Sequence, residues 1–377
     1  MIDRRTIKEN RKIEEDMKMK RKVITALLAA TMVASLAVGC GNKGGDSKSD
    51  SSKSSSSDEI TIGFSQVGAE SDWRTANSES MKSTFSEKNG YKLIFDDAQQ
   101  KQENQITAIR NFIQQDVDYI VLAPVTETGW DTVLKEAKDA DIPVIIVDRM
   151  IDVSDDSLYT AWVGSNFKME GQKACEWLNA YAEAKGMKEV NIAHIQGTIG
   201  ASAQIGRTEG LEEAAKEYGW NIVAQQTGEF TQAKGQEVME SMLKQYDNIN
   251  VVYCENDNEA FGAIDAIEAA GKTVGSDIAN GEIMVMSFDT TNAGLTDTLA
   301  GKIACDVECN PLHGPRAEEL IKALEAGEEV EKLNYVDEEI FATDDTVDKV
   351  KAVNSLDEEG EYDVTPITQE IIDGRAY

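Results

Sequence analysis

The sequence predicts an α/β protein built as two doubly wound lobes. Three observations carry this expectation. Short β-branched runs alternate with helix-length amphipathic stretches from Ile60 onward, the pattern that parallel βα units require. The alternation falls into two successive series. A chain of 377 residues with 41% hydrophobic side chains is large enough for two cores. The first series of strands is expected at residues 60–64, 93–96, 119–123 and 144–148. The second is expected at 190–196, 222–227, 251–255, 283–289 and 304–308. Helices are expected between them, among others at 73–89, 104–115, 168–185, 202–218 and 258–270. In the last of these, Phe261, Ile264, Ala266 and Ile267 recur at helical spacing and form one core-facing stripe.

Composition excludes whole classes of function. Asp and Glu number 69 against 37 Lys and Arg, a net charge of −32. Nucleic-acid affinity rests mainly on neutralising phosphates, so this chain is expected to bind none. Five Cys and two His are too few for a disulfide scaffold or a metal framework. Cys175, Cys254, Cys305 and Cys309 show no metal-ligand spacing, and whether they pair is left open.

The first forty residues read as an address. Lys18, Lys20, Arg21 and Lys22 precede an apolar run over 23–38, which ends in Gly39-Cys40. A basic segment, a short apolar stretch and small residues make a secretory signal over 1–39. Residues 1–16 lack signal character, which makes Met17 or Met19 a candidate start. The segment Leu36-Ala37-Val38-Gly39-Cys40 resembles a bacterial lipobox, although Ala37 stands where Leu is usual. That resemblance implies a lipidated Cys40 on the outer face of the cell membrane. Residues 41–59 are almost wholly Gly, Asn, Lys, Asp and Ser, a composition that makes a flexible tether.

In open parallel sheets, ligands bind beyond the carboxyl ends of the strands. Those ends read Ser65-Gln66, Asp148-Arg149, Gln196-Gly197, Glu255-Asn256-Asp257, Asp289-Thr290 and Glu308. Surface loops are polar too, but carboxylates, amides and an Arg at six strand ends exceed that expectation. Enzyme signatures fail. Gly271-Lys272-Thr273 has Ala266 where a phosphate loop needs its first Gly, and no nucleophile elbow occurs. His194 and His313 read as structural. No catalytic group and no cofactor are expected.

Phe64-Ser65-Gln66-Val67-Gly68-Ala69-Glu70-Ser71-Asp72-Trp73-Arg74, Gln99 to Gln105, Ile142-Pro143-Val144 through Asp148-Arg149, and Gln196-Gly197-Thr198 resemble the ribose-type periplasmic sugar-binding proteins, and among them the galactofuranose binders. The resemblance covers roughly residues 60–341. It implies a type I periplasmic binding protein fold: two Rossmann-like lobes, a hinge of three crossovers near 164–166, 308–310 and 343–346, and one sugar in the cleft. The lobes would comprise 60–164 plus 309–344, and 165–308 plus 345–377. It further implies sugar contacts from Glu70, Trp73, Arg74, Asp148, Arg149, Asn166, Arg207, Phe230, Asn256, Asp289 and Glu308. Ala123-Pro124 and Glu308 depart from the ribose-specific pattern.

Physics fits that implication. A hydroxyl both donates and accepts, so it suits a carboxylate and a guanidinium together. Four carboxylates against three Arg suit a neutral ligand. The plain alternative is a set of surface ion pairs, each worth ~0–1 kcal/mol. The expected partners are a monosaccharide, an ABC permease and, through it, a cytoplasmic ATPase, with the protein monomeric. A sugar-sensing subunit for a kinase or chemoreceptor is the alternative, because both roles use the closed form as signal. A secreted enzyme lacks its catalytic groups.

Overall fold

The computed structural model describes residues 59–377; the expected signal segment, Cys40 and nearly all of the tether lie outside the described residues. The described residues form fifteen strands and ten α-helices, which alternate through most of the chain up to Glu308, whereas the last five strands follow one another without a helix between them. The strands are β1 Ile60–Gln66, β2 Tyr91–Asp97, β3 Tyr119–Leu122, β4 Val144–Val147, β5 Ala161–Gly164, β6 Asn191–Gln196, β7 Asn221–Thr227 and β8 Val251–Cys254. They continue as β9 Met284–Asp289, β10 Ile303–Glu308, β11 Leu333–Tyr335, β12 Ile340–Ala342, β13 Lys349–Val353, β14 Glu359–Asp363 and β15 Thr365–Pro366. One sheet has the order β11-β5-β4-β3-β1-β2 and the other β15-β12-β10-β9-β8-β6-β7. The first is wholly parallel; in the second, β12 runs antiparallel to β10.

The central strands are apolar on both faces because helices cover both faces. Ile62, Phe64, Val121, Ile145 and Val147 enter one core, while Ile120, Leu122, Ile146 and Trp162 enter the core on the other face. In the second lobe Ile192, Tyr253, Met284 and Met286 oppose Ala193, Val252 and Val285 in the same way. Each sheet reverses its winding direction beside its first strand, at β1/β3 and at β6/β8. Crevices form at such reversals. The two crevices face each other.

Three segments connect the lobes: 165–166, 309–312 and 336–339. The third lies ahead of the expected 343–346, and it moves the lobe boundary. Ile340, Phe341 and Ala342 are buried and pair with Val307, Asp306 and Cys305, so 340–344 belongs to the second lobe. The helix expected over 73–89 runs only from Asp72 to Thr84. Ser86 Oγ donates to the Ser83 carbonyl, and Asn89 Nδ2 donates to the Ser83 and Thr84 carbonyls. Such side chains compete with helical bonding. Beyond the resemblance, β13 and β14 form a hairpin that packs Val350 against the core beneath helix Phe167–Lys185.

Helix Ser202–Tyr218 crosses the start of that helix closely. A Cβ at Gly206 would stand 2.7 Å from the Lys168 nitrogen and 2.7 Å from Phe167 Cβ. This approach places Arg207 and Phe167 at the cleft. Gly206→Val is therefore expected to lower unfolding free energy by ~1–3 kcal/mol, as overpacking does, read from chemical denaturation.

Candidate functional site

Most helices that border the cleft begin just beyond a strand end, and side chains cap them. Ser71 accepts from Arg74 N, Asn256 from Glu259 N at 2.8 Å and Thr291 from Gly294 N. These caps satisfy orphan amides and fix the first helical turn. That turn is where Trp73 and Arg74 sit.

Between the lobes lies a narrow cleft lined by Glu70, Ser71, Trp73, Arg74, Asp148, Arg149, Phe167, Ala203, Arg207, Phe230, Asn256, Asp289 and Cys309. Nine of the eleven residues implied by resemblance line it. Asn166 and Glu308 do not. Asn166 is the N-cap of helix Phe167–Lys185, its Oδ1 accepting from Met169 N at 3.1 Å. Glu308 is consumed by its own chain. Its Oε1 accepts from Arg375 Nη1 at 2.7 Å, Tyr377 OH at 2.5 Å and Asn310 Nδ2 at 3.2 Å, and its Oε2 from Glu339 N at 2.9 Å. Burial pushes the Glu308 carboxyl up, but these bonds outweigh it and hold it below its usual range.

Three carboxylates and three guanidiniums then remain at the lining. Arg74 Nε donates to Glu70 Oε1 at 3.0 Å, its Nη1 to Gln66 Oε1 at 3.2 Å, and its Nη2 lies 2.7 Å from Asp148 Oδ2. Arg149 Nη1 donates to the Val125 carbonyl at 2.9 Å, while its charge stands 3.8 Å from Glu70 Oε1. From the second lobe, Arg207 Nε donates to Glu170 Oε2 at 2.7 Å, Nη1 to the Glu255 carbonyl, and Nη2 lies 3.5 Å from Asp289 Oδ1. Side-chain exposures here do not exceed 6%. The surface-pair alternative fails on burial. Lys135–Asp139, by contrast, is exposed on both sides.

Buried charges cost several kcal/mol each unless fully paired. Glu70 Oε2, Arg149 Nε and Arg207 Nη2 have no hydrogen-bond partner within the described protein. Burial, and then the like charge of Arg74, push the Arg149 guanidinium down to about 10, so it stays charged at neutral pH. Burial raises Asp289 well above the carboxylate range despite Arg207. Burial also opposes ionisation of Asp148, but Arg74 and Arg149 prevail and lower it.

Apolar faces complete the lining. Trp73 comes from the first lobe; Phe167, Ala203 and Phe230 come from the second. Arg149 reaches across the cleft to lie 5.1 Å above the Phe230 ring. Phe230 is placed by strained backbone, with φ of +60°, as are Asp148 at +64° and Asp289 at +110°. Such angles persist where surroundings over-determine them, and they cluster at functional sites. The ring lies directly on Gly197, whose absent Cβ would fall 1.9 Å from Phe230 Cζ. Glu255 supports this floor without lining it: Oε2 accepts from Gly197 N at 2.8 Å, and Oε1 lies within 2.9 Å of His194 Nε2 and accepts from Thr208 Oγ1.

The two rims touch. Asp72 N donates to Asn258 Oδ1 at 3.0 Å, Glu127 N to the Gly200 carbonyl at 2.9 Å, and Met150 N to Ser202 Oγ at 2.8 Å. The lobes are shut around the cleft.

Sequence reasoning missed Ser71, Phe167, Ala203 and Cys309. Successive residues of an extended chain point opposite ways. Cys309 therefore lines the cleft where its neighbour Glu308 turns away to Arg375 and Tyr377. The cap at Asn166 was the available signal for Phe167.

Comparison with known proteins agrees with this geometry. A family model described as a periplasmic binding protein domain matches residues 62–325. The chain is 42% identical over 302 residues to the galactofuranose-binding protein YtfQ of Escherichia coli K12, covering 79% of this chain and 92% of that one. A Mycobacterium smegmatis structure in complex with β-D-fucofuranose superposes with a TM-score of 0.71 at 45% identity, over 76% of this chain and 92% of that one. The periplasmic binding component of the arabinose ABC transporter of Shewanella sp. ANA-3, bound to L-arabinofuranose, gives 0.70 at 44% identity, over 75% and 92%. With two wound lobes, three crossings and a charge-lined cleft between them, this chain belongs to the periplasmic binding protein family of the ribose type, whose members bind solutes and do not transform them.

Proposed function

We propose that this protein captures a neutral monosaccharide in its furanose form, of the galactofuranose type, and delivers it to an ABC permease outside the cytoplasm. The observation that carries this is the balance of the cleft. Three guanidiniums and three carboxyl groups converge from both lobes, with a donor or acceptor unpartnered on Glu70, Arg149 and Arg207. An anionic sugar would upset that balance; an uncharged one supplies both the acceptors and the donors the groups lack. Relatives at 42–45% identity are named for, or crystallised with, furanose sugars. Trp73 and Phe230 offer apolar faces to the ring's C–H side.

Glu70, Trp73, Arg74, Asp148, Arg149, Arg207, Phe230, Asn256 and Asp289 would contact the sugar. Enclosure gives selectivity, because a missing or inverted hydroxyl leaves a buried charged group unpaired. Sites of this kind reject analogues by factors on the order of 10⁴. Closure is a hinge motion, since a ligand contacts both lobes only in the shut form. The lipobox at Cys40 would hold the receptor near its permease, with residues 41–59 as the tether.

Isothermal titration against galactofuranose, arabinofuranose, galactopyranose, ribose and glucose is expected to show tight binding to a furanose alone. Binding to no monosaccharide would overturn the reading. Arg149→Ala is expected to cost at least ~2 kcal/mol of affinity, with the melting temperature serving as the check on folding. Metabolic labelling with radioactive palmitate is expected to mark the wild type and leave Cys40→Ala unlabelled; labelling that survives the substitution would refute the anchor.

A further inference from the structure

Behind the sugar cleft, a second cluster of buried polar groups ties the hinge together. Glu338, on the third crossing, uses one oxygen to hold the other two. Its Oε1 accepts from Ser165 Oγ on the first crossing at 2.6 Å and from Asn310 N on the second at 2.8 Å. Its Oε2 has no partner, nor has Glu170 Oε1, and both residues are buried, Glu170 completely and Glu338 to 8% exposure. Carboxylate oxygens of the two residues, together with Cys309 Sγ, lie within 4.8 Å of one another.

We infer that Glu170 and Glu338 share a single proton in the shut molecule, and that this proton links sugar capture to pH through the hinge. Two carboxylates this close and this dry cannot both remain ionised without a cation between them. Arg207 already serves Glu170 Oε2, and Lys173 Nζ donates to the Glu338 backbone carbonyl at 2.8 Å, not to its carboxylate. One proton therefore completes the pair. Burial, before any neighbour, raises both carboxyls, and the charge of Glu170 raises Glu338 further. The other charged or titratable groups facing the pair are Asp289 near Arg207, Cys309, Glu308 and Asp337. All three crossings must turn when the cleft opens, and turning them lets water reach Glu338.

The sign follows from linkage. The shut form holds a proton that the hydrated open form releases above the ordinary carboxyl value of 4.5. Affinity is then highest in acid and falls as pH rises, by up to about tenfold per pH unit, until the raised value is passed. Folding stability follows the same course to the extent that the sugar-free chain populates the shut form, because these carboxyls titrate higher there than in the unfolded chain.

The test compares wild type with Glu338→Gln, whose amide keeps the acceptor for Ser165 and Asn310 and replaces the shared proton with an N–H. Arabinofuranose affinity is measured by calorimetry from pH 5 to pH 9, and the melting temperature of the sugar-free protein over the same range. Wild type is expected to weaken with rising pH, and Glu338→Gln to hold its acid-side affinity across the range. Asp289 titrates in both proteins, so the difference between them isolates the hinge pair. Superimposable pH profiles, or a Glu338→Gln affinity at least tenfold weaker at pH 5, would overturn the inference. The inference rests on the sugar-binding reading only for the first measurement. If neither protein binds sugar at any pH, that reading fails, and the melting profiles alone decide whether the proton is shared.

Discussion

The structure depends on one constraint: charged groups can be withdrawn from water only where every one of them has a partner. Arg74, Arg149 and Arg207 are each almost fully buried, which a cleft floor of isolated cations would not permit. Glu70, Asp148 and Asp289 face them, and Glu170 stands behind Arg207. The pairing is good but incomplete: Glu70 Oε2, Arg149 Nε and Arg207 Nη2, on residues that line the cleft, have no hydrogen-bond partner within the described protein. A site of this type is poised. It is completed by a molecule that both donates and accepts at the places these groups leave open.

The scaffold holds those groups by means that have nothing to do with sugar chemistry. Helix caps, the Gly206 crossing and the Gly197 floor set where the side chains begin. Glu255 and Glu259 spend their oxygens on the backbone nitrogens of Gly197, Glu255 and Phe230. The carboxylates of the second lobe thus divide into those that shape the site and Asp289, which reaches it. Asp257 belongs with the shaping group, accepting from Ser287 and Thr291. Charge density in this acidic chain is therefore partly structural, buried beneath the cleft and not only spread over the surface.

The same division explains Glu308 and Asn166. Each sits at a hinge crossing, where a strand-end residue has two directions available. Arg375 and Tyr377 arrive from 67 and 69 positions away to claim Glu308, and Arg375 also stacks 5.0 Å from Phe341 on the neighbouring strand. The tail beyond the family resemblance is thus part of the hinge's support.

Apolar runs bounded by polar strand ends placed all nine expected strands, because burial on both faces leaves a continuous β-branched signature and the helices between have their own period. Of the charged and aromatic residues of the cleft, Asp148, Arg149 and Asp289 were legible at strand ends, while Glu70, Trp73, Arg74, Arg207 and Phe230 were implied only by the family resemblance. Strands β5, β11, β12, β13, β14 and β15 were not: β5, β11, β12 and β15 are short, β12 finds its partner only through long-range pairing with β10, and β13 and β14 form a hairpin of mostly polar, exposed residues. The sequence alone determined which residue types meet at the carboxyl edges of two sheets. The tertiary structure decided which of them face inward, because a side chain's direction depends on what else competes for it. For Glu308 that competitor is the far end of the chain, a contact no local pattern encodes.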